Sequence, residues 1–278
     1  MGLHRKTIEL IETSQEILLE HRPMTVRQVY YQLVSRQVIE NSKSSYQSVS
    51  NALVIARQER IIPWDWIDDR LRRPRTVSMW DGLADFAETA IRAYRRNVWA
   101  DQEGLVEVWL EKDALSGIFE DILEPYGITL NVGRGYDGWT SIYKASLRYE
   151  DVEGVVVLYF GDFDPSGEDM VRSLRERLAF FQSCPEIIKM ALTHDDIIRY
   201  NLPPDFAKKT DTRAKGFIAK YGDVSVELDA LPIDILRQRI IEGIETYMDI
   251  GALNQTKQLE DIERHEVLMA LTGHKHKC

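Results

Sequence analysis

Residues 104–192 alternate short apolar runs with helix-length amphipathic segments, and no other feature restricts the fold of this chain as tightly. Strands are predicted at residues 105–110, 128–132, 154–160 and 187–192, with helices near 114–123, 139–148 and 165–181. The run Val155-Val156-Val157-Leu158-Tyr159-Phe160 is continuously apolar and does not alternate. Continuous runs joined by helical crossovers specify an α/β fold with a parallel sheet covered on both faces. Ligands of such sheets bind beyond the carboxyl ends of the strands.

Three elements fall at those ends. Glu111 follows the first strand, Asp162 and Asp164 follow the third, and Gly133-Arg134-Gly135 follows the second. A carboxylate next to an apolar strand is costly unless a cation or a functional role compensates it. Glu111, Asp162 and Asp164 meeting at one edge would hold a hard divalent cation, Mg²⁺ or Mn²⁺, through oxygen, and such ions manage phosphoryl chemistry. Plainer readings stand beside this one. Asp164 precedes Pro165 and suits a helix N-cap, and Glu111 suits an ion pair with Lys112 or Arg134.

The first hundred residues read as helical. Thr25 and Gln28 form a capping box ahead of an apolar stripe at Val26, Val29, Tyr30, Leu33 and Val34. Tyr30 belongs to the stripe and is expected in the core. Tyr31 is rotated off it, with Arg27 one turn earlier on the same face. A phenol is a poor nucleophile at neutral pH, and a neighbouring guanidinium both favours the phenolate and grips phosphate. Tyr31 and Arg27 therefore suit a nucleophile and its electrophilic helper, the alternative being an exposed cation–aromatic pair. A polar turn at residues 40–44 leads to a second helix, completing a helix-turn-helix pattern in which Ser48, Asn51, Arg57 and Arg60 are the candidate DNA contacts.

The last third is expected to hold a strand over 224–231 and helices near 234–249 and 254–271, read as packing or dimerisation elements. Glu227 and Asp229 fall on that strand. The site is read without them, their addition to the acidic cluster being the less favoured alternative.

A net charge of −10 argues against a protein that coats nucleic acid by charge alone. Residues 1–100, however, carry 15 Lys+Arg against 12 Asp+Glu, a balance of +3, which leaves −13 for the rest. Arg72, Arg73 and Arg75 lie in the densest basic run, so a phosphate-facing front and an acidic, metal-binding back fit the asymmetry. No apolar run reaches membrane-spanning length, the N-terminus does not read as a signal peptide, and two cysteines are too few for a disulfide framework. A cytoplasmic location and no membrane partner are expected.

Arg27-Gln28-Val29-Tyr30-Tyr31, Leu110-Glu111-Lys112, Gly133-Arg134-Gly135-Tyr136 and Asp162-Phe163-Asp164-Pro165-Ser166-Gly167 occur in this order over residues 20–170. Together they resemble the motifs of the DNA topoisomerase VI A subunit and its relative, the transesterase of meiotic double-strand breaks, including small phage or mobile-element relatives. The resemblance implies a winged-helix-like (CAP-like) helical domain over residues 1–100. It implies a Toprim domain, a Rossmann-like parallel sheet, over residues 101–278 with a helical C-terminal extension. By the same resemblance Tyr31 attacks a DNA phosphodiester to give a 5′-phosphotyrosyl link and Arg27 stabilises the transition state. Glu111, Asp162 and Asp164 hold Mg²⁺, and Lys112 and Arg134 contact phosphates. It further implies double-stranded DNA as partner, a nucleoid-associated location, and a homodimer in which the tyrosine of one subunit meets the metal site of the other. A separate GHKL-type ATPase subunit is a further implied partner. The chain is shorter than typical A subunits and has no ATPase module of its own. Two other functions remain open: a Toprim nuclease in which water attacks, and a non-catalytic DNA-binding protein.

Overall fold

The computed structural model describes residues 5–67, 77–133, 138–204 and 213–273. Strands β1 (Leu105–Leu110), β2 (Thr129–Val132), β3 (Val155–Phe160) and β4 (Glu186–Ala191) form one sheet in the order β2-β1-β3-β4. Every pairing is parallel, as continuous apolar strands with crossover connections require. Leu110 pairs with Phe160, so the chain leaves β1 and β3 side by side.

Both faces are covered. Val106, Val108, Leu110, Val156, Leu158 and Phe160 join a large core that takes in Phe119 of α5 (Ser116–Leu123) and Leu236 and Ile240 of α10 (Ile233–Tyr247). Trp109, Val157 and Tyr159 on the opposite face pack with Ile142 and Ala145 of α6 (Trp139–Tyr149) and Leu174 and Leu178 of α7 (Pro165–Phe180). On that second face Glu107 is buried within β1. It accepts from Arg148 Nε at 2.5 Å, Asn131 Nδ2 at 2.7 Å and the Tyr149 hydroxyl at 2.8 Å, so its charge is paired and its lone pairs are used.

Helices α1 (Arg5–His21), α2 (Val26–Ser35) and α3 (Lys43–Gln58) pack on one another at the N-terminus. The expected capping box is present on α2: Thr25 accepts from the Gln28 amide at 3.3 Å, and Gln28 accepts from the Thr25 amide at 2.6 Å. α2 and α3 give the expected helix pair. Among the described residues of the first hundred, the only strand-like feature is a single bridge between Met24 and Ile67. The core is continuous from Ile11 of α1 through the sheet to Leu253 of α11 (Ile250–Gly273). Helix α4 (Leu83–Ala93) lies along α11, and α8 (His194–Arg199) and α9 (Ala214–Tyr221) follow β4. No described helix is long and apolar enough to cross a membrane.

Two expectations are corrected. Where a strand over 224–231 is predicted, the described residues show an antiparallel bridge, Val226 to Phe163, followed by a tight helical turn at Leu228–Ala230. Burial there does not alternate: Leu228, Asp229, Ala230 and Leu231 are all inside. Tyr31, expected on an outward face, is buried like Tyr30. The stripe packs on α1 and α3, but the 228–230 turn covers the opposite side of α2, so the helix is enclosed on two faces.

Candidate active site

The parallel register puts Glu111 and Asp162 next to each other. Glu111 Oε2 accepts from the Asp162 amide at 3.0 Å and from the Tyr159 hydroxyl at 3.4 Å. Gly161 allows this approach, since a Cβ there would stand 2.5 Å from Glu111 Oε2. Burial pushes the Glu111 carboxyl above its usual range, and the neighbouring Asp164 charge adds to the effect against Lys112 and Lys189. Asp162 accepts from the Leu228 amide at 2.8 Å. Burial pushes its carboxyl up to about 7, with Lys112 opposing and Glu111 reinforcing the shift.

Asp164 is the N-cap of α7, accepting from the Gly167 amide at 2.6 Å. The plainer reading of this residue is therefore the one its geometry bears out. It also leaves one oxygen committed to the helix.

Lys112 does not reach outward for a phosphate as expected. Its ammonium sits 3.0 Å from Asp162 Oδ1, 3.0 Å from Glu227 Oε2 and 2.9 Å from Asp229 Oδ2. Burial works against its charge, but Asp229, Asp162 and Glu227 outweigh burial and raise its pKa. The second cation is Arg27, which pairs with Glu227 and lies 3.5 Å from Asp229 Oδ2 through Nε. The Tyr31 hydroxyl donates to Glu227 Oε2 at 2.7 Å, and the Arg27 guanidinium stands 5.5 Å from the centre of the Tyr31 ring. Burial raises the Glu227 pKa, but the Lys112 charge and the Arg27 bond prevail and bring it down to about 2. Burial and the Glu227 charge push the Tyr31 phenol above its ordinary range, so it holds its proton.

The sequence separated these groups and the fold unites them. Tyr31, Glu227, Lys112 and Asp162 form one connected path within a single chain. The tyrosine thus lies near the carboxylates of its own chain, whereas the family resemblance implied those of a partner. Glu227 and Asp229, left out of the site on sequence grounds, are two of its central members. A signal existed for Asp229: a charge inside the apolar run Val226–Leu231 is subject to the same desolvation cost that singled out Asp162. Two buried atoms in the cluster, Arg27 Nε and Asp229 Oδ1, make no hydrogen bond.

Glu111 and Asp162 fit a divalent cation in donor chemistry. Both are hard oxygen donors, and both are raised in pKa by burial, the condition that added positive charge relieves. Asp164 does not close a trio with them. Among the described residues no group of three His, Cys, Asp or Glu side chains is placed to hold a metal.

The candidate DNA contacts Ser48, Asn51 and Arg60 are exposed on or just after α3, with Arg60 in a left-handed turn at φ 60°. Arg57 donates to the Leu53 carbonyl at 3.2 Å and lies 4.8 Å from the Trp64 ring centre. Arg72, Arg73, Arg75 and Arg134, with residues 135–137, lie outside the described residues. No protein-family model matches this chain, and no curated protein matches its sequence.

Proposed function

We propose that the chain cleaves double-stranded DNA in a metal-dependent tyrosyl transesterification of the topoisomerase VI A-subunit kind. The observation that carries this is the path from the Tyr31 hydroxyl through Glu227 and Lys112 to Asp162, which, with Arg27 also paired to Glu227, brings a phenol, two cations and a strand-end carboxylate into one cluster. In the reaction a bond forms between Tyr31 Oη and phosphorus and the bond from phosphorus to the 3′-oxygen breaks. The phenol's proton is balanced by protonation of the leaving 3′-oxygen. The phosphodiester keeps its single charge as it passes from DNA to protein.

Arg27 and Lys112 neutralise the non-bridging oxygens as negative charge gathers on them. Glu111 and Asp162 are the residues to hold Mg²⁺, which when bound would act as a Lewis acid on the phosphate. The exposed polar face of α3 positions the duplex through contacts that carry no chemistry. Two copies acting on opposite strands would give a double-strand break.

The test is direct. Supercoiled plasmid is incubated with the protein and Mg²⁺ or Mn²⁺, then denatured and examined for protein attached covalently to DNA 5′ ends. Tyr31→Phe should abolish the adduct and Asp162→Ala should stop all cleavage. One observation favours a second reading, a water-using nuclease: Tyr31 is buried and its phenol holds its proton. Under that reading Tyr31→Phe leaves nicking intact and no adduct forms with the unaltered protein.

A further inference from the structure

Three donors converge on one oxygen of Glu227. The Arg27 guanidinium, the Lys112 ammonium at 3.0 Å and the Tyr31 hydroxyl at 2.7 Å all meet Oε2. Two charged donors and a hydroxyl aimed at one point are the complement of a phosphate oxygen. The occupant, however, belongs to the chain itself.

Glu227 differs from the other carboxylates around Lys112 in its freedom to leave. Its side chain is 30% exposed, against 14% for Asp162 and 0% for Asp229. Its backbone is fixed on either side. Val226 exchanges two hydrogen bonds with Phe163, both at 2.9 Å, and the Leu228 amide donates to Asp162. With the backbone held and the side chain part-exposed, a rotation of the Glu227 side chain alone would carry its carboxylate to water. The closed arrangement is also imperfect, because Arg27 Nε and Asp229 Oδ1 stay buried without a hydrogen bond, which costs free energy.

Charge identifies what replaces it. The cluster holds the cations Arg27 and Lys112 against Asp162, Asp229 and Glu227. A phosphodiester carries the same single negative charge as Glu227, so exchanging one for the other leaves the site's balance unchanged.

We infer that Glu227 is an internal stand-in for a substrate phosphate: its carboxylate closes an anion site made by Arg27, Lys112 and Tyr31, and a nucleic-acid phosphodiester enters by displacing it into solvent. The choice of a phosphodiester as ligand rests on the proposed function. The displacement also gives Tyr31 its task, since its hydroxyl is tied to Glu227 until that carboxylate leaves.

The probe is thymidylyl-thymidine, which contains one phosphodiester and no other charge, titrated into the full chain without metal and followed by the shift of its ³¹P resonance. Glu227→Ala should bind it about tenfold or more tightly than the unaltered protein, because Arg27, Lys112 and Tyr31 all lose the carboxylate on which they converge. Adding Arg27→Ala to that variant should remove the gain. Glu227→Gln, which keeps the side chain's shape without its charge, should give a smaller gain and serves if the alanine variant fails to fold. Unchanged or weaker binding by a folded Glu227 variant overturns the inference. A gain without any covalent DNA adduct from the unaltered protein would leave the displaced carboxylate standing and sink the transesterase. An adduct without the gain would do the reverse.

Discussion

The Tyr31 hydroxyl and the Glu227 carboxylate meet at 2.7 Å across 196 residues of chain. That bond ties the N-terminal helices to the turn beyond α9 and supplies Tyr31 with a charged acceptor. Tyr31→Phe removes the donor while leaving the Arg27 and Lys112 pairings to Glu227 in place. The variant should lose about 1 kcal/mol of stability in chemical denaturation and all covalent attachment to DNA. A variant that still formed the adduct would put the nucleophile elsewhere.

Asp162 gives a pH dependence of defined sign. Its carboxyl titrates at about 7 in the folded chain, against ~3.9 for an unperturbed aspartate. Between these values the unfolded chain has already lost the proton that the folded chain keeps. Ionisation of Asp162 therefore lowers stability as pH rises from about 4 to about 7. Asp162→Asn keeps an oxygen for Leu228 and Lys112 but carries no charge. It should melt higher than the unaltered protein at pH 8 and lose that advantage below pH 4, read by thermal unfolding without divalent ions.

Mg²⁺ should act on the same group in the opposite direction. A carboxylate must be ionised to bind a metal, so the rise in melting temperature on adding Mg²⁺ should be larger at pH 8 than at pH 6. It should be absent from a Glu111→Ala, Asp162→Ala double variant. Equal shifts in that variant would place the ion elsewhere.

Asp196 behaves the other way. Burial raises its pKa, but the Arg239 bond at 2.7 Å and the Thr193 amide and hydroxyl, each at 2.8 Å, outweigh burial and hold it below its usual range. Its stabilising contribution is fully present above the unfolded aspartate pKa of ~3.9 and is lost as pH falls through the lower folded value. Arg239→Ala should destabilise the protein at pH 7 and reduce the steepness of its acid unfolding.

Glu107 tests the fold apart from the chemistry. Arg148→Ala would leave a carboxylate that is 1% exposed without its cation, a loss on the order of 3 kcal/mol. Asn131 and Tyr149 would still bond it. Cleavage by the folded fraction should be unchanged, because this network lies within the sheet, away from the strand ends that bear Glu111 and Asp162.

Much of the fold was legible because its causes are local. Continuous apolar strands implied parallel pairing, and β1 lies at the expected residues 105–110. Thr25 and Gln28 sit three positions apart and cap α2 as their spacing demands. Asp164 before Pro165 was readable as a cap for the same reason. What escaped depends on tertiary contact. Helical periodicity places Tyr31 off the stripe of α2, but it is silent about a second surface, supplied by residues 228–230, that covers the other side. Lys112 beside Glu111 suggested an ion pair with that residue or a contact to phosphate. Its real partners, Asp162, Glu227 and Asp229, are 50 to 117 positions away.

The union of Tyr31 and Asp162 inside one polypeptide bears on genetic complementation. If each tyrosine served the carboxylates of a neighbouring copy, mixing Tyr31→Phe chains with Asp162→Ala chains would rebuild one intact centre per hybrid pair and rescue nicking. With both groups on the same chain, every centre in the mixture carries one lesion, and the blend should stay as inert as either parent.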